Sequence, residues 1–352
     1  MTTTVNPAAL QCPVPLEAND RVQLGHGSGG RLSAQLVARH FLPHFENPAL
    51  VQLGDASIVG VGGAEIAVST DSFVVQPIEF PGGNIGSLAV HGTLNDVAMM
   101  GARPTCLTAA FILEEGLSLA VLDRVIVAMA RAARDAGVPI VAGDTKVVER
   151  GKADGLYINT TGIGVVDPGF RPGPARAEPG DVILLSGPIA RHGMAIMAAR
   201  EGMSFESAIT SDSAALPPLV DALRKAGLDV HVLRDPTRGG VASALNEIAV
   251  ASGVGVEIDE AALPVPGDVR AACEMLGLDP LYVANEGVLL AFVSEAQAAH
   301  ALAALRSHPL GADAVRLGVV VAAHPRLVAL RTALGGTRIV DLLPGDQLPR
   351  IC

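Results

Sequence analysis

Between residues 167 and 180 the chain reads Asp-Pro-Gly-Phe-Arg-Pro-Gly-Pro-Ala-Arg-Ala-Glu-Pro-Gly, four prolines and three glycines in fourteen residues. No helix or central strand can run through such a stretch. Each proline lacks an amide donor and fixes φ, and each glycine costs entropy to order. The 352 residues therefore divide here, and each part is long enough to bury a core of its own. The reading is an irregular segment over 1–20, a first domain over 21–167, a second over 168–340 and a tail over 341–352. Cys12-Pro-Val-Pro excludes a helix in the first of these.

From about residue 22 to 165, strand-like runs alternate with helical ones. Residues 65–70 and 139–142 read as buried strands, and 157–166 as another. Ser118 to Ala136 reads as a helix with Leu119, Leu122, Val125, Ile126 and Met129 on one face, ended by Gly137. After the break, 182–186 reads as a strand and 192–201 as a helix, and the mixture continues to about 340.

The formal net charge of −11, with no run of Lys or Arg, argues against a nucleic-acid surface. No apolar stretch reaches the roughly 18 residues needed to span a bilayer. The first residues lack the charged and apolar regions of a signal peptide. Cys12, Cys106, Cys273 and Cys352 are scattered without a CxxC pair, so neither a zinc site nor a disulfide framework is indicated. The expectation is a cytoplasmic protein with reduced thiols.

The chain ends Asp341-Leu-Leu-Pro-Gly-Asp-Gln-Leu-Pro-Arg-Ile-Cys352. Two prolines and a glycine favour an extended, turn-broken arm. From Pro344 onward it could span about 27 Å, at roughly 3.4 Å per residue. Such an arm could carry a thiol from the surface into a site; a frayed end that happens to finish on cysteine is the plainer alternative.

Five aspartates stand at predicted strand ends or in tight turns: Asp55, Asp71, Asp96, Asp144 and Asp235. Singly, each is an ordinary turn or cap residue. Gathered at one sheet edge, five carboxylates repel unless a cation lies among them, and Mg²⁺ with nucleotide phosphates suits hard oxygen ligands. Two glycine loops accompany them. Gly25-His26-Gly27-Ser28-Gly29-Gly30 and Arg238-Gly239-Gly240 each precede a helix-like run, where bare amides can approach phosphate oxygens. The first loop formally matches G-x-G-x-x-G, but only Arg21 to Leu24 precede it, too little for a dinucleotide-fold strand. A nucleotide-covering loop is the reading, an ordinary surface turn its alternative.

Lys146 lies two residues beyond Asp144, on the same side of an extended segment. It could neutralise a phosphate or stand solvated. Glu286 directly precedes the apolar run 288–292, so a raised pKa and a proton-accepting role are expected. His91 and His26 are open to structural or functional roles alike.

Taken together, these segments closely resemble the carbamoyl dehydratase family of hydrogenase maturation. The matching stretches begin at Gly25 (Gly-His-Gly-Ser-Gly-Gly), Thr70 (Thr-Asp-Ser-Phe-Val-Val), Phe80 (Phe-Pro-Gly-Gly-Asn) and Gly92 (Gly-Thr-Leu-Asn-Asp-Val-Ala). Further matches begin at Ala142 (Ala-Gly-Asp-Thr-Lys-Val-Val), Arg234 (Arg-Asp-Pro-Thr-Arg-Gly-Gly) and Ala284 (Ala-Asn-Glu-Gly), with Pro-Arg-Ile-Cys at the end. The family sits in an ATP-binding group with aminoimidazole ribonucleotide synthetase, selenophosphate synthetase and thiamine-phosphate kinase. The resemblance implies a two-domain PurM-like fold, α/β then α+β, whose N-terminal sheet closes a β-barrel across a homodimer, and a flexible C-terminal tail.

It also implies chemistry. Cys352 receives a carbamoyl group from the carbamoyltransferase HypF, and ATP with Mg²⁺ drives its dehydration to a thiocyanate. The nitrile then passes to an iron scaffold of HypC and HypD. On this basis Cys352, Lys146, Glu286 and His91 are the catalytic candidates. Both glycine loops, Asn95 and Thr145 hold the nucleotide, and the five aspartates hold metal. Asp55 stands in Gly-Asp-Ala-Ser where the wider group usually has an acidic pair. A small-molecule kinase or synthetase of the same group would need the aspartates and loops but not Cys352. A non-catalytic scaffold would not need ATP.

Overall fold

The computed structural model describes residues 21–45, 47–202, 209–343, 348 and 350–352. The segment 1–20, with Cys12, lies outside the described residues. The first sheet contains β1 (Ser57–Val61), β2 (Ala64–Phe73), β3 (Ala102–Glu114), β4 (Ile140–Val148) and β5 (Leu156–Val166), in the order β1-β2-β5-β3-β4. All neighbours are antiparallel except β3 and β4, which run parallel. Helix α2 (Leu119–Asp135) supplies the crossover such a pair requires. The sheet is open within the chain, with β1 and β4 at its edges.

Burial along β5 alternates nearly residue by residue, so one face of the sheet is covered. Helix α1 (Ile85–Met99) covers it. This helix is apolar around most of its circumference and buried accordingly, pressed between the first sheet and the second domain. Asn84 starts it with a capping box, accepting from the amides of Gly86 and Ser87 while Ser87 Oγ receives the Asn84 amide.

Two expectations need correction. The strand over 139–142 was expected to be buried, but β4 is exposed along nearly its whole length, with Val141 60% and Val147 67% accessible. Its apolar residues make the sequence read as interior, whereas this edge strand finds no cover among the described residues. In α2 the inward stripe is Val125, Met129, Ala132 and Ala133; Leu119 and Ile126 face outward.

The second domain holds a seven-stranded mixed sheet. Its strands are β6 (Asp181–Leu185), β7 (Val230–Arg234), β8 (Gly255–Asp259), β9 (Leu290–Ser294), β10 (Val315–Val321), β11 (Val328–Arg331) and β12 (Thr337–Val340). They run in the order β12-β11-β8-β10-β6-β9-β7. Helices α3 (Arg191–Arg200), α4 (Pro217–Lys225), α5 (Gly240–Ser252), α6 (Gly267–Leu276) and α7 (Glu295–Arg306) pack on it. The proline-rich segment between the sheets is anchored, with Phe170 buried under the Arg224 guanidinium. Core residues of both halves join in one apolar cluster. Among the described residues no helix is long and apolar enough to cross a membrane.

Candidate active site

A cavity of about 220 Å³ opens where the end of β2, helix α1 and the turn after β7 converge. Asp55, Asp71, Asp96, Arg234, Arg238, Glu286 and Cys352 line it. Asp55, Asp96 and Asp235 each place a carboxylate oxygen within 4.8 Å of the others. Ser69 Oγ donates to Asp96 at 2.6 Å. Arg234 Nη1 meets Asp55 at 2.6 Å and also pairs with Glu247.

Burial raises the carboxyl pKa of all four aspartates, and mutual repulsion adds to it at Asp55, Asp96 and Asp235, the last reaching about 6. Asp235 Oδ2 is buried without a hydrogen-bond partner. Crowded, desolvated carboxylates with an unsatisfied oxygen form a donor set that fits a hard divalent cation. Asp55, despite lacking an acidic neighbour in sequence, belongs to this group.

Glu286 sits 3% accessible beside it, its carboxyl pKa pushed well up by burial, then by Asp235, Asp212 and Asp71. Its amide and that of Gly287 donate to Asp212 at 3.2 and 3.0 Å. Cys352 reaches the same cavity from the other end of the chain. Its thiol is pushed up to about 12, first by burial, with Arg238 opposing. The tail is thus withdrawn into the site. The Cys352 carbonyl accepts from Val74 N at 3.0 Å, the Arg350 carbonyl accepts from Gln76 N at 3.4 Å, and Arg350 pairs with Asp154.

The two glycine loops meet although some 210 residues separate them. Arg238 Nη1 donates to the Gly27 carbonyl at 2.9 Å. Gly29, at φ +78°, lies so close that a Cβ there would stand 2.9 Å from the Arg238 carbonyl oxygen. Gly239 opens α5 with no side-chain cap, and Ser243 Oγ in the first turn is buried without a partner. Ser28, Gly30, Gly239 and Ser243 line a small void against the tail. Uncapped amides and an orphan hydroxyl at a helix N-terminus suit a phosphate. Gly25 and His26 belong to the turn before it, where His26 Nδ1 accepts from Gln23 N.

Five candidates stand elsewhere. Asp144, Thr145 and Lys146 are exposed on β4, with Lys146 Nζ 2.6 Å from Asp144. The ladder from Asp71 runs through Thr160 and Ala109 to Gly143, three strand spacings or about 14 Å. Asp144 therefore does not join the other four within one chain; it lies in the middle of β4, not at a strand end. His91 lies outside the cavity wall, hydrogen-bonded to Ser213, with burial lowering its pKa to about 4. Asn95 is spent on architecture, donating to the carbonyls of Ala214 and Glu286 and accepting from Leu216 N at 2.7 Å. Sequence reasoning missed Arg234, Asp212 and His192. The first stood beside Asp235 in plain view; the other two carried no local signal, since their partners lie far along the chain.

Family models place this architecture. The AIR synthase related protein N-terminal domain matches residues 53–166, and its C-terminal domain matches 178–329. The chain belongs to this family of two-domain PurM-like proteins. It is 56% identical over 333 residues to the carbamoyl dehydratase HypE of Cupriavidus necator, covering 94% of this chain and 95% of that one. A crystal structure of a hydrogenase maturation protein HypE in complex with ATP superposes with TM-score 0.80 at 51% identity, covering 94% of this chain and all of that one. A HypE–HypF complex gives TM-score 0.83 at 47% identity, over 88% and 99% of the two chains. Within the family, this chain is a member of the carbamoyl dehydratase HypE group.

Proposed function

We propose that the protein dehydrates an S-carbamoyl group carried on Cys352, using ATP, and so supplies the nitrile that becomes a cyanide ligand of nickel–iron hydrogenase. The observation that carries this reading is the seating of Cys352 in one cavity with Asp71, Asp96, Arg238 and Glu286. The reaction balances as Cys–S–C(O)NH₂ plus ATP giving Cys–S–C≡N, ADP and phosphate. The carbonyl oxygen leaves as phosphate, and both amide protons are lost.

Glu286 is the proton acceptor in this scheme, since its buried carboxylate faces the thiol's cavity. Lys146, exposed on β4 away from this cavity, could serve as the second proton-handling group only where the partner of a homodimer brings it to the site. Arg238, bonded to Gly27, holds the glycine loop over the site, and Gly30 and Gly239 offer their amides to phosphate, while the amides of Gly29 and Gly240 donate to Ser33 Oγ and the Thr237 carbonyl. Asp55, Asp71, Asp96 and Asp235 would hold Mg²⁺, which neutralises charge on the transferred phosphoryl group. Tethering Cys352 to the site makes the step unimolecular. Mass spectrometry of the tail peptide after incubation with a carbamoyl donor and ATP tests the reading; an unmodified Cys352 would overturn it.

The donor is HypF, as the complex formed by a relative supports, and the acceptor is the iron scaffold of HypC and HypD. To meet them the docked end, residues 350–352, must leave the cavity, and part of the 341–352 tail, residues 344–347 and 349, lies outside the described residues; we take the protein as cytoplasmic, where its thiol stays reduced. The domains divide at 167/168, between the two matched stretches. A homodimer through the first sheet is supported by the exposed apolar residues of β4, which an unpaired edge otherwise leaves in water. Pairing the sheets would close the barrel and cover the strand bearing Asp144, Thr145 and Lys146. Sedimentation should show a dimer at micromolar concentration, and a monomer alone would sink this.

The aspartate group also predicts a pH effect. Asp55, Asp96 and Asp235 have raised pKa values in the native state, so it binds more protons than the unfolded chain. For Asp235 that window runs from about 4 to about 6, and stability falls as pH rises through it. His91 and His192, lowered to about 4, act in the opposite direction. Comparing Asp235→Asn with the native protein isolates the first effect. The variant should melt higher than native above pH 6 without metal. It should also lose the Tm rise from saturating Mg²⁺–ATP, worth about 2.7 kcal/mol at a hundredfold Kd. A lower Tm or a retained shift would refute the assignment.

A further inference from the structure

We propose that His192 is a positioning residue that seats the tail for reaction by holding the Ile351 carbonyl. This rests on the reading of Cys352 as carrier. His192, in the first turn of α3, has no solvent exposure. Its Nε2 lies 2.8 Å from the Ile351 carbonyl oxygen and its Nδ1 2.8 Å from Ser211 Oγ. A carbonyl can only accept, so the ring proton is on Nε2. With burial keeping the ring neutral, Nδ1 accepts the Ser211 hydroxyl proton. Ser211 Oγ in turn accepts from Ser213 N at 3.0 Å, and the Phe80 ring packs edge-on at 5.6 Å. Every neighbour thus fixes the tautomer and angle of this one ring.

The other tail contacts leave a gap that this bond fills. Val74 and Gln76 receive the carbonyls of Cys352 and Arg350, and Arg200 also grips the latter at 2.9 Å. Backbone pairing alone would admit a slip of two residues, which the Arg350 side chain, paired with Asp154 and donating to the Val74 carbonyl, resists from the same wall. Such a slip would move the Cys352 sulfur about 7 Å. The Ile351 carbonyl faces the opposite wall, where His192 reads the register from a rigid helix. The helix backbone comes close because residue 193 is glycine; a Cβ there would stand 2.5 Å from Val283 Cγ1 and 3.2 Å from Leu348. A glycine inside a helix is otherwise unfavourable.

The experiment is the alkylation rate of Cys352 by iodoacetamide in the full-length protein, read by mass spectrometry with Cys106 as internal reference. His192→Ala should expose Cys352 about tenfold faster, the effect of one lost buried hydrogen bond. It should slow dehydration of the carbamoylated protein by a similar factor without slowing carbamoylation. His192→Gln, whose amide N–H can reach the same carbonyl, should restore most of the protection. Native protection in His192→Ala, or equal exposure in both variants, overturns the proposal. Should the alanine variant fail to fold, imidazole ¹⁵N NMR of the unmodified protein decides. One Nε2–H histidine should shift when Cys352 is capped with a bulky maleimide, and no shift refutes the contact. Failure of the carrier reading would look different: the exposure changes would uphold the seating, but no carbamoyl or nitrile mass would appear on the tail.

Discussion

Cys352→Ala is expected to abolish nitrile formation completely while leaving the fold and ATP binding in place. The side chain only borders the apolar cluster, so its truncation should change stability by about 1 kcal/mol or less. No other described thiol is placed to substitute. Cys273 is buried with its pKa pushed to about 11, and Cys106 lies on β3 outside the cavity. Tail-peptide masses and a Tm titration with ATP check both halves of the expectation. A nitrile on Cys106 or Cys273 would overturn the carrier assignment.

Glu286→Gln should cost the dehydration about 10²- to 10⁴-fold, the range for removing a positioned general base. Carbamoylation should be spared. The neutral amide should also leave stability equal or higher, because burial and three neighbouring carboxylates disfavour the native charge. A base must be ionised to act, and burial with the neighbouring carboxylates moves that ionisation to higher pH. The native rate should therefore climb with pH across the neutral range, and in Glu286→Gln that climb should flatten. Single-turnover rates of carbamoylated protein between pH 6 and 9 measure this. A parallel climb in both proteins would assign the proton to another group.

Local chemistry was the legible part of the chain. The fourteen-residue break, the helix between Ser118 and Gly137, and the aspartates beside β2, α1 and β7 are written in neighbouring residues. What escaped is whatever depends on residues far apart in sequence. Asp144 looks from sequence like the other aspartates, but it falls in the middle of β4, and only strand order reveals that it lies three spacings away. The apolar run on β4 announces burial, yet among the described residues nothing covers it. Asn95 sits one residue before Asp96 and reads as a nucleotide-holding residue, whereas in the structure its amide goes to the carbonyls of Ala214 and Glu286. The partner of His192 is 159 residues away, beyond the reach of any motif.

The tail of this chain docks in the cavity of this same chain, through Val74, Gln76 and His192. Enzyme and substrate are therefore one covalent molecule, and dilution cannot separate them. The half-time of dehydration is then independent of protein concentration, while loading by a separate donor slows as the solution is diluted. Each tail also admits one nitrile at a time, so the cavity idles until its cargo is unloaded. In a cell the flux would be set by traffic at the two ends of the cycle, and the supply of cyanide would match the demand of whatever takes it away.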